Sequence, residues 1–297
     1  MKLSFSNSWR YACSGISVVL MVLSIAIIGW KGLNLGLDFT GGVVSEIRID
    51  KQISATEMRP LLQQAYGSDV SLIAADEPGR WVLRYPAAAG DTTPPSLAQI
   101  LTPLNTSLEV LNTSIVGPQV GAELAEQGAL ALLVAVICIL GYLSFRFEWR
   151  LASGALFALV HDVIFVIAFF ALTQMEFNLT VLAAVLAILG YSLNDSIIIA
   201  DRIRELLIAK PEMPVAEVNN AAIVATFSRT MVTSGTTLMT VAALWLMGGE
   251  PLQGFSIAMF IGILTGTFSS ISVGTSLPEW LGLTSEHYRP KALPETP

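Results

Sequence analysis

Residues 12–29 read ACSGISVVLMVLSIAIIG, and the reading of this run decides whether the chain is exported or stays in a membrane. It follows Lys2 and Arg10, as the apolar core of a signal peptide would. A signal core spans about 7–15 residues and ends at a small-residue cleavage site. This run is longer, and Trp30-Lys31-Gly32 offers no such site. The stretch is read as an uncleaved membrane span.

Further apolar runs near 128–146, 152–172, 178–200, 225–247 and 255–277 approach the length of about 20 residues that crosses a bilayer. Composition agrees: 53% of the 297 residues are hydrophobic and 13% charged, with a mean hydropathy of +0.65. A soluble domain carries about 25% charged residues. The chain is thus expected to be a polytopic membrane protein, all-α in its membrane part, with six transmembrane helices. Arg146, Arg150, Arg202, Arg204, Lys210, Arg289 and Lys291 fall on one set of connections with Lys2 and Arg10. The opposite set holds Glu176 and Glu250 without Lys or Arg. The positive-inside rule then places both termini in the cytoplasm. The expected division is 1–30 for the N-terminus and first span, 31–126 for an external domain, 127–278 for five further helices and 279–297 for a cytoplasmic tail. In a bacterium the external domain is periplasmic and the membrane is the inner one.

The external segment alternates. Val43–Ile49 (VVSEIRI) has the period-2 spacing of a strand. Ser54 with Glu57 makes a capping box for a helix running to about Ala65. Val70–Ala74 and Trp81–Tyr85 flank the turn Asp76-Glu77-Pro78-Gly79. A second helix over Ser96–Leu104 follows Pro94-Pro95, and Leu108–Val116 is a last strand. The order β-α-β-β-α-β is that of a small α+β, ferredoxin-like domain between spans one and two.

Ionisable side chains within spans are costly, and each is a functional candidate. His161 and Asp162 lie in the third span, Asp195 in the fourth and Arg229 at the start of the fifth. Counted from the cytoplasmic ends at 1.5 Å per residue, Asp195 lies roughly 9 Å deep, Arg229 roughly 13 Å and His161 roughly 16 Å. Asp195 and Arg229 are therefore long enough to meet. Asp195 stands in the polar cluster Gly190-Tyr191-Ser192-Leu193-Asn194-Asp195-Ser196, which cannot face lipid cheaply. Two readings are open for Asp195 and Arg229: a proton relay, in which protonation of the acid releases the arginine, or a static ion pair that fixes packing. His161 and Asp162, with Ser192 and Asn194, serve either a proton path or hydrogen bonding between helices. Asp201, Arg202, Arg204 and Glu205 read as a paired cytoplasmic boundary. Gly262 and Gly266 form a GxxxG pair that lets helices approach. The threonines and Ser234 of the fifth span read as hydrogen bonders within and between helices. Cys13 and Cys138 lack metal-ligand spacing and read as small apolar packing residues. No metal or other cofactor is expected. No basic stripe points to nucleic acid, and no nucleotide, metalloprotease or acyl-transfer motif points to an enzyme.

Several motifs together resemble the SecD/SecF family. Leu35-Gly36-Leu37-Asp38-Phe39-Thr40-Gly41-Gly42 is similar to the family's entry to its first periplasmic domain. Val116-Gly117-Pro118-Gln119-Val120-Gly121-Ala122-Glu123-Leu124 resembles the approach to the second span. Arg146-Phe147-Glu148-Trp149-Arg150 with His161-Asp162 resembles the second loop and third span. Gly190–Ser196 continuing to Asp201-Arg202-Ile203-Arg204-Glu205 resembles the fourth. Ser228-Arg229-Thr230 with Thr233–Leu238 resembles the fifth. The Asn194-Asp195 form points to SecF rather than SecD. Phe227 departs from an expected Leu, and the short tail after Glu286 suggests a compact version. The resemblance implies half of an RND-like unit completed by SecD. That unit would work beside the SecYEG channel, with YajC and YidC as further partners, to help unfolded preprotein chains across the inner membrane using the proton-motive force. It also assigns Asp195 and Arg229 to proton conduction. Half of an RND-type solute exporter, or a purely structural translocon subunit, are the competing readings.

Overall fold

In a computed structural model the described residues are 7–49, 53–67, 70–75, 77–86, 96–104 and 107–288. Lys2, Asp76, Pro94, Pro95, Arg289 and Lys291, used above, lie outside them. Among the described residues six helices are long and apolar enough to cross a membrane. They are α1 (Asn7–Lys31), α5 (Pro118–Arg146), α6 (Trp149–Thr173), α7 (Leu179–Ala209), α8 (Val215–Met247) and α9 (Glu250–Ile271), the last continued by α10 (Val273–Trp280). The apolar runs set their centres, while their ends run on. Past its apolar run, α7 continues through Asp201-Arg202-Ile203-Arg204 to Ala209, and α8 begins at Val215. Backbone groups in hydrocarbon must be satisfied within the segment, so the helix cannot end inside it.

The chain divides into two compact units, one of residues Leu35–Ala131 and one of Met1–Asn34 with Leu132–Pro297. In the first, α2 (Leu37–Thr40) leads into β1 (Gly42–Ile49). There follow α3 (Ala55–Tyr66), β2 (Ser71–Ala74), β3 (Arg80–Tyr85), α4 (Leu97–Leu101) with a 3-10 turn at Thr102–Leu104, and β4 (Leu108–Val116). The sheet order is β2-β3-β1-β4 with every pair antiparallel. That is the expected split β-α-β arrangement. The period-2 pattern of β1 is realised: Val43, Ser45, Ile47 and Ile49 turn inward onto Met58 and Leu62 of α3 and Leu97 and Leu101 of α4. On the other face Glu46 pairs with Arg80 at 2.5 Å and Arg48 with Glu77 at 3.2 Å. The Ser54–Glu57 capping box is formed, and Ser96 with Gln99 makes another at α4. A register shift at Glu46/Ile47 marks a bulge against β4. Tyr66 stacks on Tyr85 with ring centroids 4.1 Å apart, and burial, with Tyr85 beside it, pushes the Tyr66 phenol well above its usual range.

Two glycine signatures far apart in sequence meet in this unit. Gly41 and Gly42 adopt φ values of 70° and 147°, which side chains disfavour. A Cβ on Gly121 would come within 2.9 Å of the Gly41 nitrogen and 3.0 Å of the Phe39 carbonyl oxygen. The strand pair Gly42–Val116 brings the two ends together. Both signatures are explained by close backbone approach.

In the membrane unit α7 is central, packed by α6, α8 and α9, while α1 lies against α6 and α10. Glycines on α9 receive side chains of α7 in parallel order. A Cβ at Gly254 would meet Val181 at 2.9 Å, one at Gly262 would meet Ile188 at 2.4 Å, and one at Gly266 would meet Ser192 at 3.3 Å. The GxxxG reading is thereby realised as a groove for α7. Across the bundle a Cβ at Gly154 of α6 would strike the Gly274 carbonyl oxygen at 2.5 Å and the Pro278 ring at 2.6 Å. Pro278 cannot donate to that carbonyl, which leaves it turned toward α6. Cys13 is buried, but Cys138 is exposed. The difference arises because α5 buries few of its residues.

At the basic end of the bundle Arg10, read above only as a marker of orientation, is fully buried. Its Nη2 donates to Glu279 Oε2 at 2.6 Å, and Asn219 Nδ2 donates to the same oxygen at 3.0 Å. Tyr11 donates to Oε1 at 2.5 Å, and Ser14 donates to Ser276 Oγ at 3.0 Å. This clasp joins α1, α8 and α10. Elsewhere at this end Arg146 pairs with Asp201, Arg150 with Glu148 at 2.6 Å and Arg202 with Glu205 at 2.7 Å.

Removing Glu279 leaves Arg10 as a buried, uncompensated charge. Glu279→Ala is expected to destabilise the chain by about 3–5 kcal/mol, seen as a lower thermal midpoint in detergent, with much of the loss recovered by Arg10→Met with Glu279→Leu. Gly262→Ala should cost about 1–3 kcal/mol by overpacking against Ile188, and combining it with Ile188→Ala should restore most of that midpoint.

Candidate functional site

The intramembrane charges settle into two neighbouring constellations on α6, α7, α8 and α9. The first is built on Asp162, which is fully buried. Its Oδ1 lies 3.0 Å from His161 Nδ1 on the same helix. Its Oδ2 accepts from Ser192 on α7 at 2.5 Å and from Ser269 on α9 at 3.0 Å. Gly266 makes room: a Cβ there would stand 3.3 Å from Asp162 Oδ2 and 3.4 Å from Ser192 Oγ. A buried carboxylate costs several kcal/mol unless its lone pairs are met, and here donors from three helices meet them.

Asp195, one helical turn beyond Ser192 on α7, forms the second constellation. It is buried, at 2% exposure. Its protein donor is Ser234 on α8, at a long 3.5 Å, and Ser234 in turn accepts from Thr267 on α9 at 2.8 Å. Among the described residues the two carboxylates therefore differ: Asp162 is held by three contacts, Asp195 by one at the edge of hydrogen-bonding distance.

Arg229 is near enough for its charge to act on Asp195, but among the described residues no ion pair joins them. Arg229 instead lies on the exposed side of α8. It precedes Ser234 by about five residues, or roughly 7.5 Å of axial rise, an offset that an arginine side chain covers by changing rotamer. Asn194 is likewise exposed, on the outer stripe of α7 with Ala183, Ala187 and Gly190. Of the residues singled out from sequence, then, the structure brings together His161, Asp162 and Ser192. It buries Asp195 beside them and leaves Asn194 and Arg229 on outward faces. Asp38, Gly41, Gly42, Gly117, Pro118 and Gly121 belong to the other unit, and Asp201 and Arg202 to the basic end.

Sequence reasoning missed three partners. Ser269 and Thr267 carried no signal beyond being polar in an apolar run. Ser234 was read among general hydrogen bonders, as were Thr233 and Thr237, whose hydroxyls do bond back to Arg229 O at 3.0 Å and Thr233 O at 2.8 Å. Ser234 alone of these reaches the acid.

Comparison with known proteins places the chain. Residues 96–284 match the family described as protein export membrane protein SecD/SecF, C-terminal, and residues 27–53 match the SecD/SecF GG motif. The protein translocase subunit SecF of Escherichia coli O157:H7 is 43% identical over 94% of this chain and 88% of its own. That of Vibrio alginolyticus is 40% identical over 95% of this chain and 91% of its own. The crystal structure of SecDF, a translocon-associated membrane protein from Thermus thermophilus, superposes with a TM-score of 0.84 at 32% identity. It covers 95% of this chain, which spans only 39% of that longer one. The chain therefore belongs to the SecD/SecF family of protein-export membrane proteins, on its SecF side.

Proposed function

We propose that this chain works as one half of a proton-driven accessory unit of the Sec translocase, completed by SecD in the bacterial inner membrane. The observation that carries the reading is a loosely held buried acid within the field of an arginine on an outward helix face. Arg229 at membrane depth, beside Ser228 and in line with Thr236 and Thr240, makes a face that hydrocarbon accepts only at several kcal/mol. The outer stripe of α7, with Ala183, Ala187, Gly190 and Asn194, has the small residues that admit a neighbouring helix closely. A Cβ at Gly190 would meet nothing within 4 Å in this chain, which leaves room for such a neighbour. Family membership, and a solved relative in which the matching region is 39% of a longer SecDF chain, support SecD as the occupant.

Within that unit Asp195 and Arg229 act as a relay. With Asp195 charged, Arg229 swings inward and pairs with it; with Asp195 protonated, Arg229 is released to the outer face. The two arrangements form an equilibrium that a proton gradient can bias. Coupled to it, the unit assists unfolded preprotein chains emerging from SecYEG, with YajC and YidC as neighbours. Both termini lie in the cytoplasm and residues 31–126 in the periplasm, as the basic connections direct. Membership of the export family sets the solute-exporter reading aside.

The test is preprotein export into vesicles carrying the complex with SecD, measured with and without a proton gradient. Asp195→Asn and Arg229→Ala are each expected to retain SecD and to lose the gradient-dependent part of export, while Arg229→Lys keeps a measurable share. If both variants assemble and still respond fully to the gradient, the chain is a structural subunit and no relay runs through these residues.

A further inference from the structure

The relay leaves one buried group without a task. His161 is 1% exposed, its Nδ1 faces the Asp162 carboxylate at 3.0 Å, and its Nε2 has no hydrogen-bond partner among the described residues. Neighbouring residues on a helix do not ordinarily face each other, so this contact is a built one. An imidazole that donates from Nδ1 to a carboxylate carries its lone pair on Nε2. That atom is a proton acceptor, and a proton gained there makes an imidazolium directly against Asp162.

We propose that His161 and Asp162 form a second proton-holding site of the bundle, in which His161 Nε2 takes the proton and Asp162 supplies the countercharge. The idea rests on the reading of the bundle as a proton conductor. Charge balance favours it, since a neutral ring beside a carboxylate leaves a net negative charge in a low-dielectric interior, whereas the protonated ring leaves none. The serines explain why Asp162 is the fixed partner. Ser192 and Ser269 hold its Oδ2 from α7 and α9, so the carboxylate stays in place whether or not the ring is charged. Ser192 also links the sites, because Asp195 follows it by one turn and the Ser234–Thr267 contact to Asp195 returns to α9.

The groups that could compete are few. On α7, Tyr191 and Asp195 lie near this depth. On α1, which packs against α6, Cys13 and Arg10 lie toward the basic end, where Arg10 is paired with Glu279 of α10. On α9 no titratable side chain stands between Leu252 and Ile271.

The chain has two histidines, His161 and His287, so the site can be watched directly. In the full chain carrying His287→Gln, labelled with nitrogen-15 histidine and placed in lipid vesicles, solid-state NMR reads one imidazole. It is expected to change from the Nδ1–H neutral form to the imidazolium as the vesicles are acidified. Asp162→Asn removes the countercharge and should disfavour the imidazolium. A ring that keeps one protonation state on acidification, or that ignores Asp162→Asn, overturns the proposal. For function, His161→Asn can keep a donor toward Asp162 but does not titrate. In the complex with SecD it should retain assembly and lose gradient-dependent export; full export would show the pair to be packing only. If Asp195→Asn also exports normally, the relay reading fails by itself, while the NMR result on His161 still stands or falls alone.

Discussion

A carboxylate buried in a lipid-embedded bundle must find its hydrogen-bond donors within the protein, and Asp162 dictates where three helices lie. Ser192 must come from α7 and Ser269 from α9, each to the same oxygen, while His161 closes the other. Those contacts bring α9 close to α6 and α7, where a Cβ at Gly266 would press on Asp162 Oδ2 and Ser192 at 3.3 Å. Gly262 and Gly254 extend the same groove along Ile188 and Val181. In lipid, where apolar surface gives no net pull between helices, close packing and polar contacts of this kind hold a bundle together. The polar cluster is therefore part of the fold before it is part of any mechanism.

The same requirement separates the two acids. Asp162 has its lone pairs committed, so changing its surroundings means breaking contacts on three helices. Asp195 has one long contact to Ser234 and an arginine within reach of its field but not bonded to it. A site that must alternate cannot be fully satisfied in one arrangement, because each state would then need to outbid a complete set of hydrogen bonds. The looser acid is the one suited to switching, and the tighter one to holding a neighbour in position.

Much of this was legible in the sequence, for physical reasons that also mark the limit. Span positions follow from hydropathy because bilayer thickness is a local length constraint. The inward set of Val43, Ser45, Ile47 and Ile49 follows from the two-residue period of a strand, and the start of α3 from Ser54 and Glu57. Depth along a helix is likewise countable, which is how Asp195 and Arg229 could be placed near one level. Rotation about each helix, and the registry between helices, are not local. Arg229 turns outward and Ser234 inward on the same helix, a difference of angle that the apolar pattern of α8 does not encode because its residues are polar on more than one side. Arg10 shows the same limit. Its charge reads from sequence only as one basic residue near an apolar run, while its partner Glu279 stands far along the chain, and only the fold brings them within 2.6 Å.

That clasp bears on how a local proton event could matter at a distance. Arg10 ties the start of α1 to Glu279 of α10, and Asn219 ties α8, the helix of Arg229 and Ser234, to the same carboxylate. The start of α8 is thereby held at the basic end, while Ser234, which meets Asp195, lies about four turns further along the same helix. α1 is anchored at that point too, and its other end leads into the Leu35–Ala131 unit. The buried ion pair at the basic end therefore fixes α1, α8 and α10 to one another on one side of the Asp195 cluster.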